Sequence, residues 1–253
     1  MEENFSIQKN LETIRNSILE TSQKCSRDTS SLALMGVSKF KPVSFIKEAY
    51  SYGLRDFGEN YPQELVQKAK EFHPRDLSYH LIGHLQTNKV RLVLPYISSF
   101  HALDSERLSL VLEKECERIQ KILPVYIEIN IGREETKTGI LPEEATILAR
   151  AVAALPRLKL VGLMCVAPKK DDPEKVRPYF KEMRELENGI NQKLFEKEKI
   201  LKEPLRELSM GMSADYRIAI EEGSTFLRIG TALFGERQKK KTQTFSRDIE
   251  KKF

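Results

Sequence analysis

A single (β/α)8 barrel is the fold class this sequence predicts, and three observations predict it. The chain has 253 residues, close to the ~250 typical of one such barrel. Short apolar runs alternate with helix-period segments from residue 32 to residue 235, which gives eight strand–helix units. No GxGxxG follows the first strand, which disfavours the open dinucleotide-binding sheet that the same alternation would otherwise allow.

The elements follow in order. Residues 5–24 carry Phe5, Ile7, Leu11, Ile14, Ile18 and Leu19 at spacings that suit one face of a leading helix. Residues 32–39 form a nearly continuous apolar run closed by Ser38 and Lys39, the pattern of a strand buried on both faces of a parallel sheet. Pro42 opens a helix over 43–52 that Gly53 stops. Further strands are predicted at 56–60, 78–83, 99–103, 124–131, 158–166, 208–210 and 225–229. Helices are predicted at 62–72, near 88–94, at 105–119 with Ser105 as N-cap, at 142–154 and at 173–195, with a short one after the turn at 211–213. The last strand has no clear helix after it. No linker rich in Pro, Gly or Ser interrupts the series. The reading is therefore one barrel domain, 1–235, followed by a basic tail or final helix, 236–253.

Composition narrows the function classes. Charged residues make up 31% and hydrophobic residues 40%, as in soluble globular proteins. No apolar run approaches the ~20 residues that span a bilayer, and the acidic, polar start is not a secretory signal. Cys25, Cys116 and Cys165 are odd in number and widely spaced, which argues against a disulfide framework or a CxxC zinc site. A reducing cytoplasm is the expected location. The net charge is +5, and the stretch 236–253 holds seven basic and three acidic residues. With Phe245 as its one interior aromatic, it reads as a solvated end rather than a nucleic-acid-binding arm.

The chemistry concentrates in 208–235. Gly211 and Ser213 follow the seventh strand, and Gly230 and Thr231 follow the eighth. Two such bare turns can aim several backbone N–H groups, and a helix dipole, at one anion. Barrels often hold a phosphate at this place. The alternative is that Ser213 is only an N-cap, with Asp215 in the first turn. At the opposite side of the predicted mouth, Lys39 closes the first strand. Partial burial there would favour a neutral, nucleophilic amine able to form a Schiff base; the alternative is a lysine reaching solvent, like Lys41. A lysine facing a phosphate cup points to a phosphorylated aldehyde such as pyridoxal phosphate. Arg228, an obligate donor, would then meet an unprotonated pyridine nitrogen and restrain carbanion chemistry; the alternative is a surface ion pair with Glu221 or Glu222.

These blocks resemble the pyridoxal phosphate homeostasis protein family, the YggS/PROSC group. The matching blocks are 36–39 with Lys41 and Pro42, 57–60, 80–89, 137–139, 162–164 with Ala167 and Pro168, and 208–235. They run in order through almost the whole chain. The resemblance implies a barrel similar to the N-terminal domain of alanine racemase. It implies Lys39 as the Schiff-base residue and Arg228 at the ring nitrogen. Ser213, Gly230 and Thr231 would hold the phosphate with backbone help from Gly211 and Met212. Asn60 would lie near the ring hydroxyl, and Met164 and His84 would line the pocket. Tyr79, where many relatives carry Trp, and the loop 131–137 depart from the commoner pattern.

Other candidates carry less. His80 and His84 span a strand end without a carboxylate motif, so no metal site is expected. Glu59 and Glu128 can act as acids or bases, with pairing to a barrel lysine the favoured role. Lys137 either reaches the mouth or is solvated, and Cys165 reads as a small core residue. Two functions remain in competition: a cytoplasmic monomer that binds pyridoxal phosphate and buffers or delivers it to apoenzymes, and an amino-acid racemase or lyase. Racemisation needs a base on each face of the substrate carbon. Tyr61, Tyr79 and Tyr216 have no motif support as the second one, and the carrier reading is favoured.

Overall fold

The computed structural model describes residues 5–236. Ser6 begins the first helix, α1 (Ile7–Lys24): its hydroxyl accepts from the Lys9 amide at 3.3 Å, satisfying a donor that the helix itself leaves unpaired. The strands are β1 (Ala33–Val37), β2 (Asp56–Glu59), β3 (Ser78–Leu81), β4 (Ser99–Leu103), β5 (Leu123–Ile129), β6 (Leu158–Cys165), β7 (Glu207–Ser209) and β8 (Phe226–Ile229). All pair in parallel with their sequence neighbours, and β8 closes on β1 with Met35 beside Arg228. The helices between them are α2 (Val43–Ser51), α3 (Pro62–Glu71), α4 (Val90–Val93), α5 (Glu106–Arg118), α6 (Ala145–Ala153), α7 (Arg177–Ile190) and α8 (Tyr216–Glu221). None of the described helices is long and apolar enough to cross a membrane.

Most boundaries shift by one or two residues from the sequence reading, and three elements differ in kind or in existence. The segment predicted as one helix over 173–195 divides into a 3-10 turn, Pro173–Val176, then α7, then a wider π-helical stretch, Asn191–Lys197. The helix near 88–94 is one α turn behind a 3-10 turn, Thr87–Lys89. The last strand does carry a helix, the single turn α9 (Thr231–Phe234), which Gly235 ends at φ 73°. The tail predicted after residue 235 lies, beyond Glu236, outside the described residues.

Alternation along each strand sorts the side chains. Outward residues such as Phe57, Leu81, Phe100, Ile127 and Leu227 are fully buried under the helices and form the apolar core. The inward face is different. Barrel interiors are ordinarily filled by branched aliphatic side chains. Here Asp56, His80, Ser99, His101, Tyr126, Ser209 and Arg228 occupy inward positions, and their polar atoms bond to one another or to neighbouring groups. Gly162 on β6 is required by this close interior: a Cβ there would lie 1.7 Å from the Glu207 carbonyl oxygen on β7.

Candidate functional site

The C-terminal strand ends bring together most of the residues singled out from the sequence. Just beyond β1, Ser38 faces outward, its carbonyl meeting Lys68 on α3, and Lys39 follows it, half-buried. The turn beyond is held from behind. Ser38 Oγ donates to Glu59 Oε1 at 2.6 Å. Lys68 on α3 uses all three of its donors, each at 2.7 Å, on the Ser38 carbonyl, Glu59 Oε1 and Glu64 Oε1. Glu64 Oε1 also accepts the Phe40 amide at 2.7 Å. That clamp supports Phe40 at φ 61°, a region L-residues rarely occupy. Glu59 is fully buried, and burial raises its carboxyl to about 7, opposed by the Lys68 ammonium. The carboxylate pairing expected for Glu59 is thus present, but with a helix lysine rather than one from the barrel. For Glu128, burial raises the pKa, and Oε1 accepts from Thr138 Oγ1 at 2.7 Å.

Arg228 is 3% exposed, in the barrel interior. Its Nη1 donates to Ser209 Oγ at 2.8 Å and its Nη2 to the Cys165 carbonyl at 2.7 Å. Burial lowers its pKa, offset by Cys165, Asp215 and Glu128, and a guanidinium remains charged. The surface ion pair considered for it is formed by other residues: Arg177 binds Glu221 and Glu222.

The two small-residue turns are tied to each other. Gly211, at φ 91°, allows the chain to leave β7, because a Cβ there would stand 2.6 Å from the Ala219 Cβ. Its carbonyl accepts the Arg228 amide at 3.0 Å, joining the end of β7 to β8. Ser213 Oγ accepts the Ala232 amide at 3.1 Å, which links the turn after β7 to the first turn of α9 beside Gly230 and Thr231. Ser213 is therefore not an N-cap; Asp215 holds that position before α8. Among the backbone donors expected of the cup, the Met212 amide is already taken by Asp215 Oδ1 at 2.6 Å. Burial raises the Asp215 pKa, and that amide opposes the rise.

The remaining expected residues surround this mouth unequally. Asn60 follows β2; its Oδ1 is buried and has no hydrogen-bond partner among the described residues. The chain after β3 passes directly over it, since a Cβ on Gly83 would be 2.3 Å from the Asn60 carbonyl oxygen. Met164 is buried on the inward face of β6. His84 is exposed and bonded to Asp104 at 3.2 Å, in a surface cleft it shares with Gln86, Asn88 and Arg107. His80 instead points into the barrel, toward Ser99 and Asp56. Lys137 pairs with Glu134 at 2.6 Å. Sequence reasoning missed Lys68, Glu64, Asp56, Ser99, His101 and Ser209. The period-2 spacing of Ser99 with His101, and of Ser78 with His80, was the available signal of a polar inward face.

Comparison with known proteins agrees with this geometry. The family described as alanine racemase, N-terminal domain, matches residues 8–238. A pyridoxal phosphate homeostasis protein of Vibrio cholerae serotype O1 is 42% identical over 236 residues, covering 92% of this chain and 97% of its own length. PipY of Synechococcus elongatus PCC7942, in a structure with PLP bound, is 31% identical at a TM-score of 0.78; the match covers 91% of this chain and 100% of PipY. The alanine racemase of Clostridium difficile 630 has the same barrel at a TM-score of 0.69 and 16% identity, covering 92% of this chain but 58% of the racemase. The chain belongs to the alanine racemase N-terminal domain family and, within it, to the pyridoxal phosphate homeostasis proteins.

Proposed function

We propose that this protein binds pyridoxal 5′-phosphate, covalently through the Lys39 amine, and serves to hold and release the cofactor without a dedicated reaction of its own. The observation that carries the reading is the convergence, on one barrel mouth, of Lys39 after β1, buried Arg228 on the adjacent β8, and the tied turns at Ser213 and Ala232. The residues present fit the group. Asn60 brings a buried acceptor that lacks a partner among the described residues, which suits a ring hydroxyl. Arg228 brings donors only, which suits an unprotonated ring nitrogen. The turns at Gly211, Ser213, Gly230 and Thr231 bring backbone and hydroxyl groups to a phosphate.

When bound, the cofactor supplies an electrophilic aldehyde and an electron-withdrawing ring. The chain's own groups would do the rest. The Glu59–Lys68–Glu64 clamp orients Lys39, Ser213 anchors the anion, and Arg228 keeps the ring nitrogen an acceptor. That last effect works against racemase or lyase chemistry. The relatives are named homeostasis proteins, which supports the same reading. The reading extends to a cytoplasmic monomer that passes the cofactor to apoenzymes.

The test is a visible spectrum of the purified protein with added pyridoxal phosphate, followed by borohydride reduction and peptide mapping. A yellow band, with the label on Lys39 and none in Lys39→Ala, is the expected result. Absence of the band in the unaltered protein overturns the assignment. Turnover of a free amino acid that is lost in Lys39→Ala would replace the carrier reading with an enzymatic one.

A further inference from the structure

The polar barrel interior forms one continuous chain. From Arg228 Nη1 it runs to Ser209 Oγ (2.8 Å), then to His101 Nδ1 (2.9 Å). From His101 Nε2 it runs to Ser99 Oγ (2.7 Å), on to His80 Nδ1 (2.6 Å), and from His80 Nε2 to Asp56 Oδ1 (2.9 Å). His101, Ser209, Ser99, His80 and Arg228 are all buried, whereas the Asp56 side chain is 32% exposed. Asp56 opens β2, so it stands at the opposite end of the barrel from Lys39 and Asn60. The chain therefore joins the candidate site to solvent through the barrel axis. His101 is also fixed in its plane by Tyr126, with ring centroids 3.8 Å apart, and by Phe226 edge-on at 5.3 Å.

The two ends dictate the direction of every bond between them. A guanidinium can only donate, and a carboxylate can only accept. Ser209 accepts from Arg228, so its own proton goes to His101 Nδ1. His101 then donates from Nε2 to Ser99, Ser99 donates to His80 Nδ1, and His80 donates from Nε2 to Asp56. Every polar atom in the line is satisfied, with both imidazoles neutral. Burial, followed by the Arg228 guanidinium, lowers the pKa of His101 well below its ordinary value, which agrees with a neutral ring there. The opposite sense fails at both ends. It requires a protonated Asp56, and it directs two donors at Ser209 while leaving that hydroxyl's proton without an acceptor. A mixed sense turns the lone pair of His80 Nε2 toward the Asp56 carboxylate.

We propose that Ser209, His101, Ser99, His80 and Asp56 are positioning residues for Arg228: a one-way hydrogen-bond relay that fixes the guanidinium from below and, through Asp56, stabilises its charge. The relay occupies Nη1 while the Cys165 carbonyl occupies Nη2, which sets the rotation of the guanidinium in the mouth. A chain of aligned bonds in a low-dielectric interior is mutually polarising, so the carboxylate at one end strengthens the donors at the other. The role as a cofactor support rests on the pyridoxal phosphate reading; the direction of the relay does not.

Two measurements test this separately. Nitrogen-15 NMR of the imidazoles in the ligand-free protein at neutral pH is expected to show His80 and His101 both as neutral rings protonated at Nε2. An Nδ1-protonated tautomer at either residue overturns the relay. Next, Ser209→Ala, Asp56→Asn and the conservative Ser209→Thr are compared with the unaltered protein for pyridoxal phosphate affinity and for the absorbance maximum of the bound cofactor. Loss of the bond from the charged guanidinium to the relay, felt only indirectly at the cofactor, is worth about two- to tenfold in affinity. Ser209→Ala should show that loss and a shifted maximum, Asp56→Asn a smaller change in the same direction, and Ser209→Thr recovery. Unchanged affinity and spectrum in Ser209→Ala and Asp56→Asn overturn the positioning role. If the unaltered protein takes up no cofactor, the cofactor reading fails, and with it the support role; the tautomers still decide the relay.

Discussion

Lys68 offers the sharpest test of how the Lys39 turn is held. Lys68→Met removes the ammonium that faces Glu59, Glu64 and the Ser38 carbonyl, each at 2.7 Å. Lys68 and Glu59 have side chains 5% and 0% exposed. Removing one partner of so buried a pair typically costs about 3–5 kcal/mol, because the other charge is left without compensation. The cost must depend on pH. Glu59 is already raised to about 7 by burial, with Lys68 opposing the rise. An acid whose folded-state value lies above its unfolded one stabilises the fold at low pH and loses that contribution as pH rises through the folded value. Without Lys68 the Glu59 value rises further, so the loss deepens between about pH 5 and pH 8. Urea denaturation of Lys68→Met is therefore expected to show the full deficit near pH 8 and a much smaller one near pH 5.5, where Glu59 takes up a proton. Glu59→Gln combined with Lys68→Met should recover most of it. A deficit under about 1 kcal/mol, or one equal at both pH values, would refute the clamp.

Three further outcomes can be checked. Glu187 on α7 is buried, its Oε1 has no hydrogen-bond partner among the described residues, and burial followed by repulsion from Glu207 raises it to about 7. Its penalty is absent at low pH and grows toward neutrality, so Glu187→Gln should stabilise the protein by about 1–3 kcal/mol near pH 8 and by little near pH 5 in paired melting curves. Gly162→Ala places a Cβ 1.7 Å from the Glu207 carbonyl oxygen; it should destabilise by at least the upper end of the usual ~1–3 kcal/mol for overpacking, and an unchanged melting temperature would contradict the close β6–β7 approach. Gly211→Ala, at φ 91° and 2.6 Å from the Ala219 Cβ, should lose about 1–2 kcal/mol from the left-handed backbone alone. It should also weaken cofactor uptake, measured by titrating the absorbance band.

Much of the fold was legible because outward strand residues and helix faces obey simple periods. Strand β4 was read with its observed limits, since Phe100, Ala102 and Leu103 lie between unambiguous turns. Two mouth residues were conspicuous for a different reason: Lys39 stands just beyond an apolar strand, and Gly211 stands where the chain leaves β7 at φ 91°. The polar interior was not read. Ser99 and His101 look like tolerated polar interruptions in one strand, and their meaning depends on Ser209, 108 residues beyond His101. Lys68 was hidden likewise, because a lysine on an amphipathic helix ordinarily faces water. The break at the end of α7 was passed over although Asn188 and Gly189 stand beside it, a pair that ordinarily punctuates a helix.

The pairing of β8 with β1 also governs how the molecule is made. Asn10 on α1 donates to the Leu233 carbonyl at 3.1 Å, across 223 residues of sequence, and α1 packs against α8 and α9 along the same seam. During synthesis, β1 lacks its native partner on one edge until β8, the last strand of the barrel, has been made. Parallel pairing over such separations carries a large loop-closure entropy and proceeds slowly. For that interval the nascent chain presents an unsatisfied strand edge and the uncovered apolar face of α1, the kind of surface that chaperones shield. The stretch proposed to hold the phosphate is also the stretch that closes the barrel, so on that reading a ligand-competent mouth arises only when folding is finished.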